Sequence, residues 1–381
     1  MLDQPTALAI AVFNGDGKPD IAVASTRDNM LSILLASGGG QFEDARDYGI
    51  SGGTSYNFTT EMAFADVNND GKLDLIVPGE TGTSVLLNRG NGTFAPQKTF
   101  SGAGSGVALG DFNRDGKLDM VDGANPIYVW LGNGDGTFTK GATYTLSSGQ
   151  ALWLAVADLN GDGKLDIVAA DYDNPVVHVL FGNGDGTFQT PIDIPTLGES
   201  ADVVVADFNN DGKPDIYLTG YNGAPFPGEI LLGNGDGTFQ PAKYTGDGGG
   251  MTAAIGDFNH DGILDMALAP WSGTVNVYLG NGDGTFGTEM TYPVASEARS
   301  VAVGDFNGDG ILDLAVSSWK NPPYLISTLY GNGDGTFRPA INFDVPFTWA
   351  IASGDVNGDG KPDLAVLDAN TDGTVAVYLD K

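Results

Sequence analysis

The sequence predicts an all-β fold, a β-propeller of four-stranded antiparallel blades, and three observations lead to it. An acidic nine-residue segment recurs eight times at a nearly constant period. A glycine-rich segment typical of a tight hairpin follows seven of the copies. The residues between these segments form short apolar or alternating runs, and no helical period of 3.6 residues is sustained. Units of this length with several short strands are the pattern of propeller blades.

The acidic segment is the most regular part of the repeat. Asp66–Asp74 reads Asp-Val-Asn-Asn-Asp-Gly-Lys-Leu-Asp, and a degenerate copy stands at Val12–Asp20. The successive copies start at positions 12, 66, 111, 158, 207, 257, 305 and 355, so they lie 45 to 54 residues apart. A fixed period of this size predicts one structural unit per copy.

The second motif, Gly-Asn-Gly-Asp-Gly-Thr-Phe, follows at 132–138, 182–188, 233–239, 280–286 and 331–337, with weaker copies ending at Phe42 and Phe94. Its Asn-Gly-Asp-Gly core supplies the positive φ angles that a tight hairpin needs. We therefore interpret its aspartate as a turn residue and its phenylalanine as a plug in the core between blades.

The sixth unit illustrates the four predicted strands. Thr252–Gly256 is a small apolar run, and Leu264–Ala269 follows the acidic segment. Thr274–Leu279 alternates, and Thr285–Pro293 is more polar. The apolar strands should be buried between neighbouring blades, with the polar fourth strand at the rim. A linear β-solenoid is the alternative, although its rungs are usually shorter and its sheets parallel.

We predict a single domain over residues 1–381 with eight blades; seven would require one unit to leave the ring. The chain has eight copies of the first three strands but only seven of the fourth. The missing strand would lie upstream of Met1, so either Leu2–Thr6 fills part of its place or the last blade is three-stranded. The predicted units are approximately 6–56, 57–103, 104–149, 150–198, 199–249, 250–297, 298–346 and 347–381.

Charge and composition limit the possible partners. The 381 residues include 49 acidic and 17 basic side chains, a net charge of −32, and no cysteine. Such a surface repels nucleic acid and anionic membranes and attracts cations. No apolar stretch is long enough to insert into a membrane. Met1–Thr6 lacks the basic start and long apolar run of a secretory signal, so none is expected within the sequence.

The acidic segment has the spacing of a calcium loop. Oxygen-bearing side chains stand at positions 1, 3, 5 and 9, glycine at position 6 permits a sharp turn, and position 7 can offer a backbone carbonyl. Hard oxygen ligands without His or Cys favour calcium, with magnesium second. The alternative is a simple Asx-rich β-turn. Three carboxylates in one small loop repel one another unless a cation lies among them, so we prefer the metal loop.

Seven calcium sites are therefore predicted, with an eighth possible. Their ligands are Asp66, Asn68, Asp70, Lys72 and Asp74; Asp111, Asn113, Asp115, Lys117 and Asp119; Asp158, Asn160, Asp162, Lys164 and Asp166; Asp207, Asn209, Asp211, Lys213 and Asp215; Asp257, Asn259, Asp261, Ile263 and Asp265; Asp305, Asn307, Asp309, Ile311 and Asp313; and Asp355, Asn357, Asp359, Lys361 and Asp363. The first copy has Val12 at position 1, which leaves a weak site of Asn14, Asp16 and Asp20.

These units resemble the FG-GAP/VCBS repeat family, which includes the propeller of integrin α-subunits. The likeness is carried by segments such as Val301–Val316 and Tyr330–Phe337, and it covers essentially the whole chain. The resemblance implies that the calcium loop joins the first and second strands on one face of the disc. It places Asp305, Asn307, Asp309 and Asp313, and their equivalents, in that role. Val12 and the incomplete end units depart from the pattern.

The resemblance also implies a class of function. Members of the family are mostly secreted or cell-surface modules for adhesion or carbohydrate binding, and some similar propellers belong to polysaccharide lyases. We expect an extracellular, monomeric binding module for a carbohydrate or protein ligand. The alternatives are a calcium-dependent lyase and a purely structural module of a larger surface protein.

The ligand is expected on the face opposite the calcium loops, where the loops between second and third strands vary. Tyr172, Tyr221, Trp271 and Trp319 are the candidate contacts, because aromatic faces beside polar groups suit sugar rings. Trp153 and Trp349 are interpreted as lining the central channel. Trp130 is interpreted as a core residue.

Catalysis has little support in the sequence. No nucleophile elbow, P-loop or zinc motif is present. The two histidines, His178 in an alternating third strand and His260 inside an acidic segment, are both interpreted as structural. A lyase could still use Tyr, Lys or Arg near calcium, so the enzyme alternative stays open.

Overall fold

The computed structural model describes residues 7–25, 28–51, 62–79, 81–102, 106–220, 228–245, 252–270, 272–295, 297–318, 325–345, 348–368 and 375–378. These residues form antiparallel sheets joined by turns, and they contain no helix. Consequently, no described helix could cross a membrane.

The chain is an eight-bladed β-propeller, and each blade is one antiparallel sheet with its strands in sequence order. The first four blades contain, in order, β1 (Ala7–Ala11), β2 (Asp20–Ser25), β3 (Met30–Leu34) and β6 (Arg46–Gly49), with β4 (Ala36–Gly38) and β5 (Gln41–Phe42) forming a side hairpin; β7 (Ala63–Ala65), β8 (Asp74–Val77), β9 (Thr83–Leu86) and β10 (Lys98–Phe100); β11 (Gly106–Gly110), β12 (Asp119–Gly123), β13 (Ile127–Gly132) and β14 (Phe138–Tyr144); and β15 (Ala151–Ala157), β16 (Asp166–Asp171), β17 (Val176–Leu180) and β18 (Ile192–Pro195).

The last four blades contain β19 (Ser200–Ala206), β20 (Asp215–Gly220), β21 (Glu229–Leu231) and β22 (Lys243–Tyr244); β23 (Ala253–Gly256), β24 (Asp265–Leu268), β25 (Thr274–Tyr278) and β26 (Met290–Pro293); β27 (Ala298–Gly304), β28 (Asp313–Ser318), β29 (Leu325–Leu329) and β30 (Ile341–Asp344); and β31 (Thr348–Gly354), β32 (Asp363–Asp368) and β33 (Val375–Tyr378). Within the described residues, blade 8 therefore has three strands.

The first strands form the inner ring of the disc. β11 packs beside β15, β15 beside β19, and β27 beside β31. The ring closes because β31 packs beside β1, so the last blade meets the first. Ile21 and Val23 of β2 share a buried cluster with Ala365 and Leu367 of β32. The closure is thus made by apolar side chains.

The second strands are buried at the centre of each blade. Every described residue of β2, β8, β12, β16, β20, β24 and β28 is buried. The fourth strands are more exposed to solvent, and all four residues of β30 are exposed. The predicted polar rim is confirmed, since a sheet packed on both faces needs apolar residues throughout and an edge strand does not.

The eight sheets confirm the predicted number of blades and exclude the seven-bladed alternative, and their antiparallel pairing excludes the solenoid. In the sixth unit the fourth strand is shorter than predicted, covering Met290–Pro293. Its start is replaced by a single bridge between Gly280 and Phe286 and a bond from the Gly287 N–H to the Leu279 carbonyl (2.7 Å). Leu2–Thr6 lies outside the described residues.

Candidate functional site

The acidic segments all connect the first strand of a blade to its second, so they lie on one face of the disc, here called the loop face. The hairpin turns between third and fourth strands lie on the same face. We number the positions of each segment 1 to 9 and name the segments by blade: loop 1 (12–20), loop 2 (66–74), loop 3 (111–119), loop 4 (158–166), loop 5 (207–215), loop 6 (257–265), loop 7 (305–313) and loop 8 (355–363).

Hydrogen bonds between side chains and the backbone coil each loop, as loop 4 illustrates. Asp158 Oδ1 accepts the Asp162 N–H (3.1 Å), and its Oδ2 accepts the Gly163 N–H (2.7 Å). Asn160 Oδ1 also accepts the Asp162 N–H (2.9 Å). Asp162 Oδ1 accepts the Lys164 N–H (3.0 Å). Gly163 has a φ of 77°, the left-handed conformation that this turn demands of position 6.

The same bonds recur in loops 2 to 8. The side chains at positions 1, 3 and 5 thus turn toward the inside of one tight loop in every intact copy. A loop of this shape brings alternate side chains together, as the sequence spacing requires.

Position 9 has a structural role that sequence reasoning missed. The Asp166 carboxylate is fully buried; its Oδ2 accepts the Leu159 N–H (2.9 Å) and its Oδ1 accepts the Gly182 N–H (2.8 Å). One side chain therefore ties together the loop, the second strand and the hairpin motif. A Cβ on Gly182 would fall 2.2 Å from the Leu165 carbonyl oxygen, so glycine is required there. In most units an Asp at position 9 is followed by a Gly at the start of the hairpin motif. This repeated pair was the sequence signal from which the contact could have been predicted.

The position-9 carboxylates are buried close to other negative charges, which disfavours their ionised form. Burial raises the pKa of Asp166 to about 6; the nearby charges of Asp162 and Asp158 add to the rise, and the two N–H donors oppose it. The pKa values of Asp74 and Asp313 also rise to about 6 for the same reasons. A cation beside these groups would relieve the repulsion.

Lysines at position 7 already provide some positive charge. In loops 2 to 5 the lysine ammonium lies close to Oδ2 of the position-5 aspartate: the pairs are Lys72–Asp70 (2.9 Å), Lys117–Asp115 (3.1 Å), Lys164–Asp162 (2.8 Å) and Lys213–Asp211 (3.2 Å). The Lys72 ammonium holds the pKa of Asp70 below its usual range.

The donor set fits a hard cation in kind and number. Each of loops 2 to 8 supplies three carboxylates, one amide oxygen and the position-7 carbonyl, with no nitrogen or sulfur ligand. A carboxylate has about four acceptor sites, so the hydrogen bonds to the backbone leave capacity for an ion. Among the described residues, no three His, Asp or Glu side chains are gathered closely enough to enclose a metal as they stand. Binding would therefore require these side chains to rotate.

Loop 1 keeps only part of the pattern. Val12 supplies no carboxylate, so both position-1 bonds are lost. Asn14 Oδ1 still accepts the Asp16 N–H (2.9 Å), and Asp20 still ties the loop to the blade through the N–H groups of Phe13 and Ala36 (2.8 Å each). The scaffold of the loop thus survives with two carboxylates.

The hairpin motifs behave as predicted. In blade 4, Asp185 Oδ1 accepts the Thr187 N–H (3.0 Å) and hydroxyl (2.5 Å), which makes Asp185 a turn residue. The buried Phe188 ring meets Phe112 of blade 3 edge-on, with centroids 5.3 Å apart. The Tyr144 hydroxyl of blade 3 accepts the Phe188 N–H (2.6 Å). The phenylalanine is therefore a plug between blades.

The candidate ligand contacts on the opposite face are only partly described. Tyr172 follows β16 on that face; it is half-buried, and its ring centroid lies 6.0 Å from that of Trp153. Tyr221, Trp271 and Trp319 lie outside the described residues.

Trp153 corrects one sequence interpretation. It does not line the channel: it is 9% exposed and packs among Val177 and Val179 of its own blade and Val203 of blade 5. The inner strand of this blade turns the indole sideways into the boundary between blades. Trp130 is buried as predicted, and its Nε1–H donates to Asp122 Oδ2 (2.9 Å). The Trp349 side chain lies outside the described part of the chain.

The most elaborate polar cluster on the opposite face surrounds His178. This ring is fully buried; its Nδ1 lies 2.8 Å from Asp193 Oδ1 and its Nε2 lies 3.4 Å from Asp171 Oδ2. Burial alone would lower the pKa of His178, but the two carboxylates outweigh burial and raise it. Ser147 and Ser148 donate to Asp193 (2.5 Å) and Asp171 (3.1 Å). The cluster thus locks the crossing from blade 3 to blade 4.

Two further carboxyls are buried at this face. Burial raises the pKa of Asp122 to about 7, although the Thr83 hydroxyl and the Trp130 N–H donate to it. Burial also raises the pKa of Glu229 to about 7, and its Oε2 accepts the Leu197 N–H (2.7 Å). Both carboxyls sit where strands reach the opposite face.

Comparison with family models identifies the repeat. The model described as an FG-GAP-like repeat matches residues 13–77, 66–121, 120–169, 158–218, 209–268 and 257–316. The model described as an FG-GAP repeat matches residues 347–378. Together these matches cover most of the chain.

Curated relatives include cartilage acidic protein 1. The chain is 28% identical to the Xenopus tropicalis protein over 221 residues, which is 55% of this chain and 28% of that protein. It is 28% identical to the Mus musculus protein over 238 residues, which is 59% of this chain and 31% of that protein. The chain thus spans about a third or less of the length of these relatives.

Solved structures with a similar fold share little sequence. A lectin of Agrocybe aegerita, described for its specific recognition of non-reducing terminal N-acetylglucosamine, matches with a TM-score of 0.56 and 22% identity, covering 100% of this chain and 97% of the lectin. Sqt1 from Chaetomium thermophilum matches with a TM-score of 0.63 and 12% identity, covering 100% and 97%. At these identities the likeness concerns the fold alone.

Proposed function

Because the chain belongs to the FG-GAP repeat family, we propose that it is a calcium-pinned propeller that serves as an extracellular binding or adhesion module. Calcium ions occupy loops 2 to 8, and loop 1 binds weakly. The observation that carries the proposal is the recurrence of one oxygen-only loop, with the same hydrogen bonds, in seven blades.

The electrostatics of the loop support the metal. The buried position-9 carboxylates have raised pKa values, in part because two further carboxylates of the same loop lie nearby. A divalent cation converts this mutual repulsion into attraction. Seven such ions would offset 14 of the 32 negative charges.

Calcium binding can be tested by counting ions. Native mass spectrometry of the chelated and reloaded chain should show seven or eight calcium ions. Asp158→Ala, which removes position 1 of loop 4, should lose one. Asp185→Ala, which removes an exposed carboxylate of the hairpin turn in the same blade, should lose none. Equal ion counts for both variants would contradict the assignment of the loops.

The ligand is a carbohydrate or a protein, and it binds the face opposite the loops. The similar fold of the N-acetylglucosamine-recognising lectin supports testing glycans first, and the likeness to cartilage acidic protein 1 supports an extracellular setting. Tyr172 offers a half-buried aromatic ring on that face. Its neighbour there, Asp173, has an exposed carboxylate, which suits hydroxyl groups.

A glycan array that includes glycans with terminal N-acetylglucosamine tests this part. The calcium-loaded chain should bind a defined subset of glycans, and Tyr172→Ala should weaken that binding. Tyr244→Ala, an exposed tyrosine on the fourth strand of blade 5, is the matched control and should not. Binding that is lost equally in both variants would place the ligand elsewhere, and binding to no glycan would favour a protein ligand.

A further inference from the structure

The acidic loops differ at position 7, and the difference is electrostatic. Loops 2 to 5 have lysine there, with its ammonium 2.8–3.2 Å from Oδ2 of the position-5 aspartate. Loop 8 also has a lysine, Lys361, whereas loops 6 and 7 have Ile263 and Ile311. The chain therefore contains two kinds of intact loop with the same carboxylates.

The isoleucines leave the position-5 carboxylate without a cationic partner. Ile263 packs over Gly280 and Gly282 of its own hairpin motif, the place where Lys164 lies over Gly184 in blade 4. In loop 6, Oδ2 of Asp261 accepts the Asn259 amide (2.9 Å). Within the described residues, no lysine or arginine forms an ion pair with a position-5 aspartate in loops 6 and 7.

We propose that position 7 sets the calcium affinity of each loop, with its lysine acting as a built-in competitor for the ion. This inference rests on the proposed calcium binding and deepens it. A calcium ion held by the position-5 carboxylate lies within a few ångströms of the ammonium, and the two cations repel each other. Loops 6 and 7 contain no lysine of their own to compete for that carboxylate.

The size of the effect follows from surface ion pairs. Such exposed pairs are weak even when the partner, like calcium, carries two charges, so the competition is modest. The isoleucine loops 6 and 7 should therefore bind calcium roughly three- to tenfold more tightly than the lysine loops 2 to 5. The adjacent blades 6 and 7 fill first as calcium rises, and the lysine loops fill later. The difference in calcium affinity between the two kinds of loop should narrow at high salt, because salt screens exposed charges.

The test compares two triple variants of equal net charge. Lys72, Lys117 and Lys164 are replaced by Gln in the first, which removes three competitors. Lys98, Lys140 and Lys243, which lie outside the acidic loops, are replaced by Gln in the control. The chelated chains are then titrated with calcium in a calorimeter at low ionic strength. The weakly binding class of calcium sites should gain affinity by about three- to tenfold in the first variant only.

A reciprocal variant guards against indirect effects of the triple changes. Ile263→Lys combined with Ile311→Lys should move two ions from the tight class to the weak class without changing the total. If the parent chain binds no calcium, the proposed function fails and this inference falls with it. If calcium binds but the two triple variants titrate alike, position 7 does not set affinity, and the calcium loops themselves stand.

Discussion

On the loop face the same hydrogen bonds recur from blade to blade, whereas on the opposite face the contacts of the described crossings differ from one another. Asp111, Asp158 and Asp207 accept the same two N–H groups at the same spacing. By contrast, the ring of His178 between two carboxylates is the arrangement of blade 4 alone, because the chain has only two histidines. The repeated face is what builds the disc, and the divergent face is where a particular ligand could be recognised.

The position-9 aspartate offers the strongest way to break the loop face. Asp166→Ala leaves the N–H groups of Leu159 and Gly182 buried without an acceptor. The expected loss is about 2–6 kcal/mol of unfolding free energy, since each of the two unsatisfied buried groups costs about 1–3 kcal/mol. Urea unfolding of the chelated chain measures it, because calcium is then excluded from the balance.

Asp185→Ala is the matched control for that experiment. Its carboxylate is exposed and serves only Thr187 in the hairpin turn of the same blade. Its effect should be far smaller than that of Asp166→Ala. Similar losses of unfolding free energy in the two variants would mean that the buried hydrogen bonds of Asp166 are not what stabilises the blade.

His178 tests the opposite face. His178→Ala leaves Asp171 and Asp193 without the group between them, so we expect a loss of about 2 kcal/mol at pH 6. The folded pKa of His178 is raised, so its contribution is present below its unfolded pKa and fades as pH rises through the folded value. The deficit of the variant should therefore be larger at pH 6 than at pH 8.5 in urea unfolding.

His260→Ala is the natural control, because it is the other histidine and lies exposed in loop 6. Its effect should be small, because its side chain is exposed. A His178→Ala deficit that did not change with pH would argue that the ring acts by packing alone.

Asp122 provides an effect of opposite sign on the same face. Burial raises its pKa to about 7, so the wild-type chain loses stability as pH rises toward that value and the carboxyl ionises. Asp122→Asn cannot ionise, so relative to wild type it should gain about 2–3 kcal/mol between pH 5 and pH 8.5. A difference in unfolding free energy between Asp122→Asn and wild type that is the same at both pH values would contradict this.

Most of the fold could be predicted from the sequence, because it repeats. Eight periodic acidic segments and the hairpin motifs led to eight blades, and Phe188 was correctly predicted as a plug. The short fourth strands were harder to delimit, since β26 begins four residues after the Gly280–Phe286 bridge closes the turn. Edge strands make few pairings, so their bounds depend on local irregularities.

The site was predictable where it repeats and unpredictable where it does not. The loop residues and their spacing were visible, but the burial of Asp166 and its bond to Gly182 depend on a contact between distant segments. Trp153 was misplaced because alternation in a strand cannot say which side faces the channel in a twisted disc. The cluster around His178 combines its two partners, Asp171 and Asp193, with serines from a third segment of the chain, and no local sequence pattern predicts this arrangement.

The most direct test of the central claim is a thermal melt of the exhaustively chelated chain with calcium titrated back. Each ion at ten to a hundred times its Kd adds about 1.4–2.7 kcal/mol by mass action, so several loops together should raise the Tm by tens of degrees. Magnesium at the same concentration should raise it much less. A Tm that chelation and calcium leave unchanged would mean that the acidic loops are hydrogen-bonded turns and that no calcium pins this propeller.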